Sequence, residues 1–259
     1  MHASTAPGLT PLPTRVRNEL VFRQISVKQA DTVAGCFRRI VFQGDALRGF
    51  ISGGFDDHIK LFFPDPETGE LHLPQVTPEG IVWGEKRPAA RDYTPLHFDA
   101  AANELTVDFF IHDQGLASDW AVAAGPGDAL AMGGPRGSLI VPETYPHQIY
   151  LCDESGLPAL RRRLLALAPH EGLNVTALVS HHSPDTRAYL ADLGHVQCEW
   201  LPADAAQLVA RMAALPLPPE DSFIWITGEG SVVKTISDAL LERGADADRL
   251  RAVAYWHQK

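Results

Sequence analysis

The chain has 259 residues, 45% of them hydrophobic and 21% charged, an ordinary globular composition with length enough for two domains that each bury a core. A formal charge of −10 excludes a general binder of nucleic acid or anionic membrane, because those partners need a cationic face that displaces their counterions. The three cysteines, Cys36, Cys152 and Cys198, are far apart, which excludes a disulfide framework and a structural zinc or iron–sulfur site.

In chain order, the opening Pro/Thr/Ala segment carries little to bury and reads as a flexible tail over residues 1–14. It lacks the apolar core of a secretory signal, and nowhere does the chain approach the roughly 20 apolar residues of a membrane span. A cytoplasmic protein with reduced thiols is expected. From Leu20, the runs LVFRQISVKQ, GCFRRIVFQG, HIKLFF, ELTVDFFIHD and DALAMGGPRGSLIV are short, rich in β-branched and aromatic residues, and separated by turn residues. Their spacing predicts a small antiparallel barrel. After Pro142 the rhythm changes to strand then helix: HQIYLC with PALRRRLLALA, LNVTALVS with SPDTRAYLADLG, DSFIWITGEG with SVVKTISDALLERG, and a last strand RLRAVAYW. That alternation predicts a parallel sheet covered by helices. The boundary falls near Val141 to Pro146, giving domains of residues 15–142 and 143–259.

Two clusters carry chemistry. In RDYT, Arg91 and Tyr93 project to one side of an extended segment; the guanidinium suits phosphate oxygens, the phenol a flat heterocycle, and the Thr94 hydroxyl a ring nitrogen. Taken alone, the tetrapeptide reads equally as an ordinary strand. In IHDQGLASDWAVAA, Gly115 permits a tight turn, and Ala117 and Ser118 open a helix whose free N–H groups favour an anion such as a pyrophosphate; plain capping by Ser118 accounts for the same residues.

These motifs, with FDDHIKLFFP, RDYTPLHF, FFIHDQGLASDWA, PGDALAMGGPRGS, YLCDESGLPALRRRL, FIWITGEGSVVK and the closing YWHQK, resemble the siderophore-interacting protein family of the ferredoxin-reductase superfamily. The likeness runs from about Arg15 to the end and is greatest to the short NADPH-dependent ferric-chelate reductases. It implies an amino-terminal six-stranded antiparallel β-barrel that holds FAD, followed by a carboxyl-terminal α/β parallel-sheet domain that binds NADPH. It further implies Arg91, Tyr93, Thr94, His112, Ala117 and Ser118 as FAD contacts, and Lys60, Arg136 and Arg251 as a basic triad for an anionic ferric chelate. Leu116 departs from the family, whose members often carry Pro there; backbone N–H groups do the binding, so little change is expected. The ending at YWHQK, without the longer tail of another branch, favours NADPH over a protein donor.

In the second domain, Gly156 lies at a strand-to-helix turn with Pro158 in the helix's first turn, where an open α/β sheet presents ligands. Thr227, Gly228 and Glu229 form a second such turn, expected at the nicotinamide end. GxGxxG is absent. Either Arg161, Arg162 and Arg163 or the group His181, His182, Ser183 and Arg187 can reach a 2′-phosphate, and a run of arginines on a helix is also an ordinary solvated face. No protein side chain is assigned as catalytic, since flavin carries the electrons; iron is substrate, loosened from hard oxygen donors on reduction. HExxH is missing, and the adjacent His181 and His182 are poorly spaced to chelate one metal from a helix. The expected partners are a ferric siderophore or other chelate and NADPH, with neither nucleic acid nor membrane, and the expected state is a monomer. A reductase serving flavodoxin or ferredoxin, and a non-catalytic siderophore carrier, remain as alternative readings.

Overall fold

The computed structural model describes residues 8–84, 86–112, 115–194 and 197–258. The amino-terminal domain is built on β2 (Phe22–Val33), β3 (Phe37–Gln43), β4 (Ile59–Phe62), β7 (Ala90–Tyr93), β8 (Pro95–Asp99), β9 (Glu104–Phe110) and β10 (Ala129–Gly133). In each long strand the apolar residues fall on alternate positions, so one face is buried: Ile25 and Val27, Ile40 and Phe42, and Leu105, Val107 and Phe109 meet in a single core. The sheet order is β7-β4-β10-β2-β3-β9-β8. Its two edge strands, β7 and β8, are joined through Thr94 alone, so the edges lie one residue apart and the sheet closes on itself. Counted as one bent strand, β7 and β8 give the expected six. Pro95 opens β8 at the bend, a strand position where a missing N–H costs little. Helix α1 (Leu116–Ala123) packs Ala117 and Ala121 into the barrel core.

Beside the barrel lie a ribbon of β1 (Thr14–Arg17) with β11 (Gly137–Ile140) and a hairpin of β5 (Gln75–Thr77) and β6 (Gly80–Val82). The run expected as a single segment, DALAMGGPRGSLIV, is split between β10 and β11 at Gly134–Pro135. The tail expected through residue 14 is tied down from Thr10, whose N–H and hydroxyl donate to Asp221 at 3.0 and 2.9 Å. Tyr145 donates to the Pro11 carbonyl at 2.8 Å. Asp221 as acceptor and Tyr145 as donor, both on the second domain, hold what composition alone leaves loose.

The second domain is a parallel sheet of β12 (His147–Cys152), β13 (Asn174–His181), β14 (Cys198–Pro202), β15 (Ser222–Glu229) and β16 (Leu250–Trp256), with helices α2 (Leu157–Leu167), α3 (Ala205–Ala214) and α4 (Gly230–Glu242). Its order is β14-β13-β12-β15-β16, with every pair parallel. One core lies on each face of the sheet. The segment SPDTRAYLADLG, expected as an α-helix, is instead a 3-10 turn, Pro184–Leu190, opened by Ser183. Tyr189 and Leu190 of that turn pack in the same core as α2, whereas α3, capped by Asp204 accepting from Gln207 N–H at 3.0 Å, lies on the other face with α4. The edge strand β14 escapes sequence reading because CEWLP is only half-buried and lacks alternation.

Candidate active site at the domain seam

On the barrel side, Arg91 is exposed and, among the described residues, its guanidinium donates only to the neighbouring Ala90 carbonyl, at 2.8 Å. Tyr93 projects to the same side, its ring 4.3 Å from that of Phe109. Burial pushes the Tyr93 hydroxyl well above the usual phenol range, and the Arg91 charge pulls it partly back. Phe109 in turn lies 6.1 Å from Trp120 on α1, so the RDYT strand and the helix are linked through one ring. At the amino end of α1 the first N–H groups have no intrahelical acceptor. The Ser118 hydroxyl sits inside the turn, accepting from His112 N–H at 3.5 Å, and both Ala117 and Ser118 are buried. The serine side chain is therefore turned inward, and a ligand at this end would meet backbone N–H groups.

On the sheet side, the strand order reverses direction between β12 and β15, the switch point at whose carboxyl ends open α/β sheets take ligands. Gly156 faces Thr227 so closely that a Cβ on it would stand 2.5 Å from Thr227 Cγ2 and 2.6 Å from Cys152 Cβ. Gly228 has φ +139°, and its bare Cα faces the Asp153 carboxylate. Asp153 accepts from the Ser155 N–H at 2.9 Å and from Trp256 Nε1 at 2.7 Å; burial raises its pKa and these bonds draw it down. Glu229 does not project freely: it caps α4, accepting from the Ser231 hydroxyl and the N–H groups of Ser231 and Val232, and its pKa falls to about 2. Gln258 N–H donates to its other oxygen at 3.4 Å, so the chain end lies over this turn.

The seam is made by the loop before β4. Phe55 packs edge-on against Trp225 and Tyr150, at 5.4 and 6.1 Å. Asp56, buried, accepts from Arg251 Nε at 2.9 Å and Trp225 Nε1 at 3.4 Å. Asp57 accepts from Ser138 and Ser52 hydroxyls and from Gly54 N–H, and burial raises its pKa. Tyr255 reaches into the same seam from β16. Its hydroxyl is buried beside Thr94, yet no hydrogen bond is completed.

The expected triad is only partly free. Lys60 pairs with Asp92 at 2.7 Å, both side chains about half exposed; Arg136 is exposed in the turn after Gly133; Arg251 is held by Asp56 through Nε alone. The three arginines in a row on α2 have three different surroundings. Arg161 pairs with Asp192, Arg162 crosses to Ser52 of the barrel at 3.1 Å, and Arg163 is buried with four acceptors. Beyond β13, Arg187 stays exposed, 3.4 Å from His181 Nε2, and the exposed His182 leans on the buried Glu154 at 3.2 Å.

These groups fit a flavin dinucleotide. Arg91 has no acidic partner among the described residues, α1 offers backbone donors, and the Tyr255 hydroxyl is a buried polar group left for a ligand atom to satisfy. Asp56, Asp153, Tyr255 and Trp256 were not foreseen as site residues; the only trace of them in the sequence is their position inside the strings FDDH, YLCDESG and YWHQK.

Comparison with known proteins agrees. The model of the siderophore-interacting FAD-binding domain matches residues 26–139, and that of the siderophore-interacting protein matches residues 145–259. The chain is 52% identical to an NADPH-dependent ferric-chelate reductase of Escherichia coli, covering 95% of the chain and 97% of the relative. It is 31% identical to the ferric vibriobactin reductase of Vibrio cholerae over 84% of the chain and 83% of the relative. A crystal structure of a siderophore utilization protein from T. fusca superposes with a TM-score of 0.86 at 32% identity, covering 95% of this chain and 96% of that one.

Proposed function

The chain belongs to the siderophore-interacting protein family, and from that membership we infer that it holds FAD, draws electrons from NADPH and reduces the iron of a ferric chelate, siderophores included. The chemistry FAD supplies when bound is the conversion of a two-electron donation into single-electron steps. Everything else falls to the chain. Arg91 and the amino end of α1, through the N–H groups of Ala117 and Ser118, hold the phosphates. Tyr93 gives the ring a face, Thr94 and Tyr255 offer hydroxyls at its edge, and His112 closes the turn. Gly156, Thr227 and Gly228 shape the floor on which a nicotinamide lies, and Glu229 fixes the start of α4. With Arg161 and Arg163 engaged elsewhere, the exposed Arg187, with His182 and Ser183, is left to receive the 2′-phosphate.

Lys60 and Arg136, with the terminal nitrogens of Arg251, form the cationic mouth that an anionic chelate needs on an acidic protein. Reduction weakens the hold of hard oxygen donors on the metal and releases it. We place the enzyme in the cytoplasm, as a monomer. The three cysteines are free. No helix among the described residues is long and apolar enough to cross a membrane.

The observation that carries this reading is the meeting, at one seam, of the Arg91–Thr94 strand with the switch point of the sheet, closed by Tyr255 against Thr94. The test is stopped-flow spectroscopy without oxygen. NADPH should bleach the flavin band, and a ferric chelate should restore it with release of Fe(II) to a colorimetric trap. Lys60→Ala with Arg136→Ala should slow the second phase and leave the first intact. A folded protein that takes up no FAD in excess, or whose bleached flavin no ferric chelate reoxidises, overturns the proposal.

A further inference from the structure

We propose that the outer face of the barrel beside Lys60 carries an aryl-binding subsite, centred on Trp83 and Arg87, that favours ferric chelates whose iron is held by aromatic oxygens. The inference deepens the reductase reading and rests on it. Strand register sets the position. Asp92 lies opposite Lys60, Lys60 opposite Gly133, and Gly133 opposite Phe22. Paired residues share a face, and strands stand roughly 4.8 Å apart, so only a bare glycine separates Lys60 from Phe22. A Cβ on Gly133 would come within 2.8 Å of Phe22 Cε1; the phenyl ring lies over that position.

Phe62 follows Lys60 by two residues on the same face of β4, with its ring 5.8 Å from Phe22. Trp83, just past β6, completes the cluster at 6.4 Å from Phe22 and 5.5 Å from Phe62. Phe62 is buried, but Phe22 and Trp83 are half-buried and Arg87 is exposed. The Arg87 guanidinium stands 5.6 Å from the Trp83 ring and has no carboxylate partner among the described residues, whereas the adjacent Lys86 pairs with Asp65 at 3.4 Å.

An indole that merely pinned the hairpin would need no unpaired cation on its open side. A shelf of aromatic rings, with that cation at one end and Lys60 and the exposed Arg136 at the other, matches a tris-catecholate: anionic oxygens around the metal, flat rings at the rim. The rings stack on Trp83 and Phe22, Arg87 adds a cation–π contact, and the exchangeable Lys60–Asp92 pair yields its ammonium to the anion. A carboxylate chelate uses the cations alone.

The test compares ferric tris-catecholate with ferric citrate on the FAD-loaded protein, and adds calorimetric binding of gallium(III) tris-catecholate, which has the same charge and shape and is not reduced. Trp83→Ala should raise KM for the catecholate and Kd for its gallium analogue about tenfold, and Arg87→Gln about threefold. Trp83→Phe, which keeps the hairpin packed, should lie between wild type and alanine. Ferric citrate KM and the rate of flavin bleaching by NADPH should stay within about twofold. Equal losses for both chelates, or no loss for either, overturn the subsite. A wild-type protein that binds the gallium complex but reduces neither iron chelate overturns the reductase reading and leaves the subsite standing.

Discussion

Arg163→Met removes a guanidinium that is 2% exposed and donates to Tyr150 Oη at 2.7 Å, Gln148 Oε1 at 3.0 Å, and the carbonyls of Val141 and Pro142 at 3.0 and 2.6 Å. It also stands 5.4 Å from the Phe55 ring. Methionine refills much of the volume and makes none of these bonds. Tyr150 and Gln148 still bond each other, so the cost is concentrated on the two carbonyls at the domain boundary. Each loses a charged donor, at about 1–3 kcal/mol when a buried acceptor is stranded, so a total near 4 kcal/mol is expected. That is a large part of a stability of about 5–15 kcal/mol. For a chain of this size it corresponds to a fall in Tm of roughly 8–16 °C. Arg161→Met is the milder comparison: it loses a pair whose Asp192 side chain is 61% exposed, worth about 0–1 kcal/mol, and one hydrogen bond to the Tyr189 carbonyl, worth about 1 kcal/mol. Differential scanning calorimetry of both variants, with KM for NADPH and NADH measured well below their melting points, decides the matter. The reasoning fails if Arg163→Met melts within about 2 °C of wild type, or if it folds normally and loses its preference for NADPH.

Three further outcomes are expected. Gly156→Ala forces a methyl group against Thr227 and Cys152; urea unfolding should show a loss of about 1–3 kcal/mol, with a raised KM for NADPH. Tyr189→Phe deletes the donor that links the second domain to the buried Asp108 of β9, which keeps its two bonds from Arg39; about 1.5 kcal/mol should be lost with FAD affinity unchanged, and a change below about 0.5 kcal/mol would count against this seam contact. Glu229 is held at about 2 in the fold against an ordinary 4.5. Its stabilisation is therefore complete above the unfolded value and disappears as pH falls through the folded one. Glu229→Gln should flatten the acid limb of stability between those two values, and an unchanged limb in chemical denaturation at several pH values would refute the cap.

What could be read from the sequence was whatever depends on neighbours along the chain. The alternation in ISVKQ and ELTVDFF, the strand-then-helix rhythm after Pro142 and the turn glycines all follow from φ/ψ preference and side-chain period, and they gave the antiparallel barrel and the parallel sheet; a flavin role for RDYT came only from the resemblance to the family. The arginine run shows the limit. Three identical side chains in a row carry identical local signals, yet α2 sends one to Asp192, one to Ser52 and one into the core. Their roles depend on acceptors that are 31, 110 and 13 residues away.

The same holds for Asp56 with Arg251, and for Tyr255 with Thr94. No local rule joins residues that far apart; only closure of the barrel and the packing of the parallel sheet against its loop bring them together. The sequence determined most of the elements, though not β14 or the turn over Pro184–Leu190, and which residue types could offer phosphate-binding chemistry. The tertiary structure decided which charges remain free to use it, because a charge is free only where folding has left it without a partner.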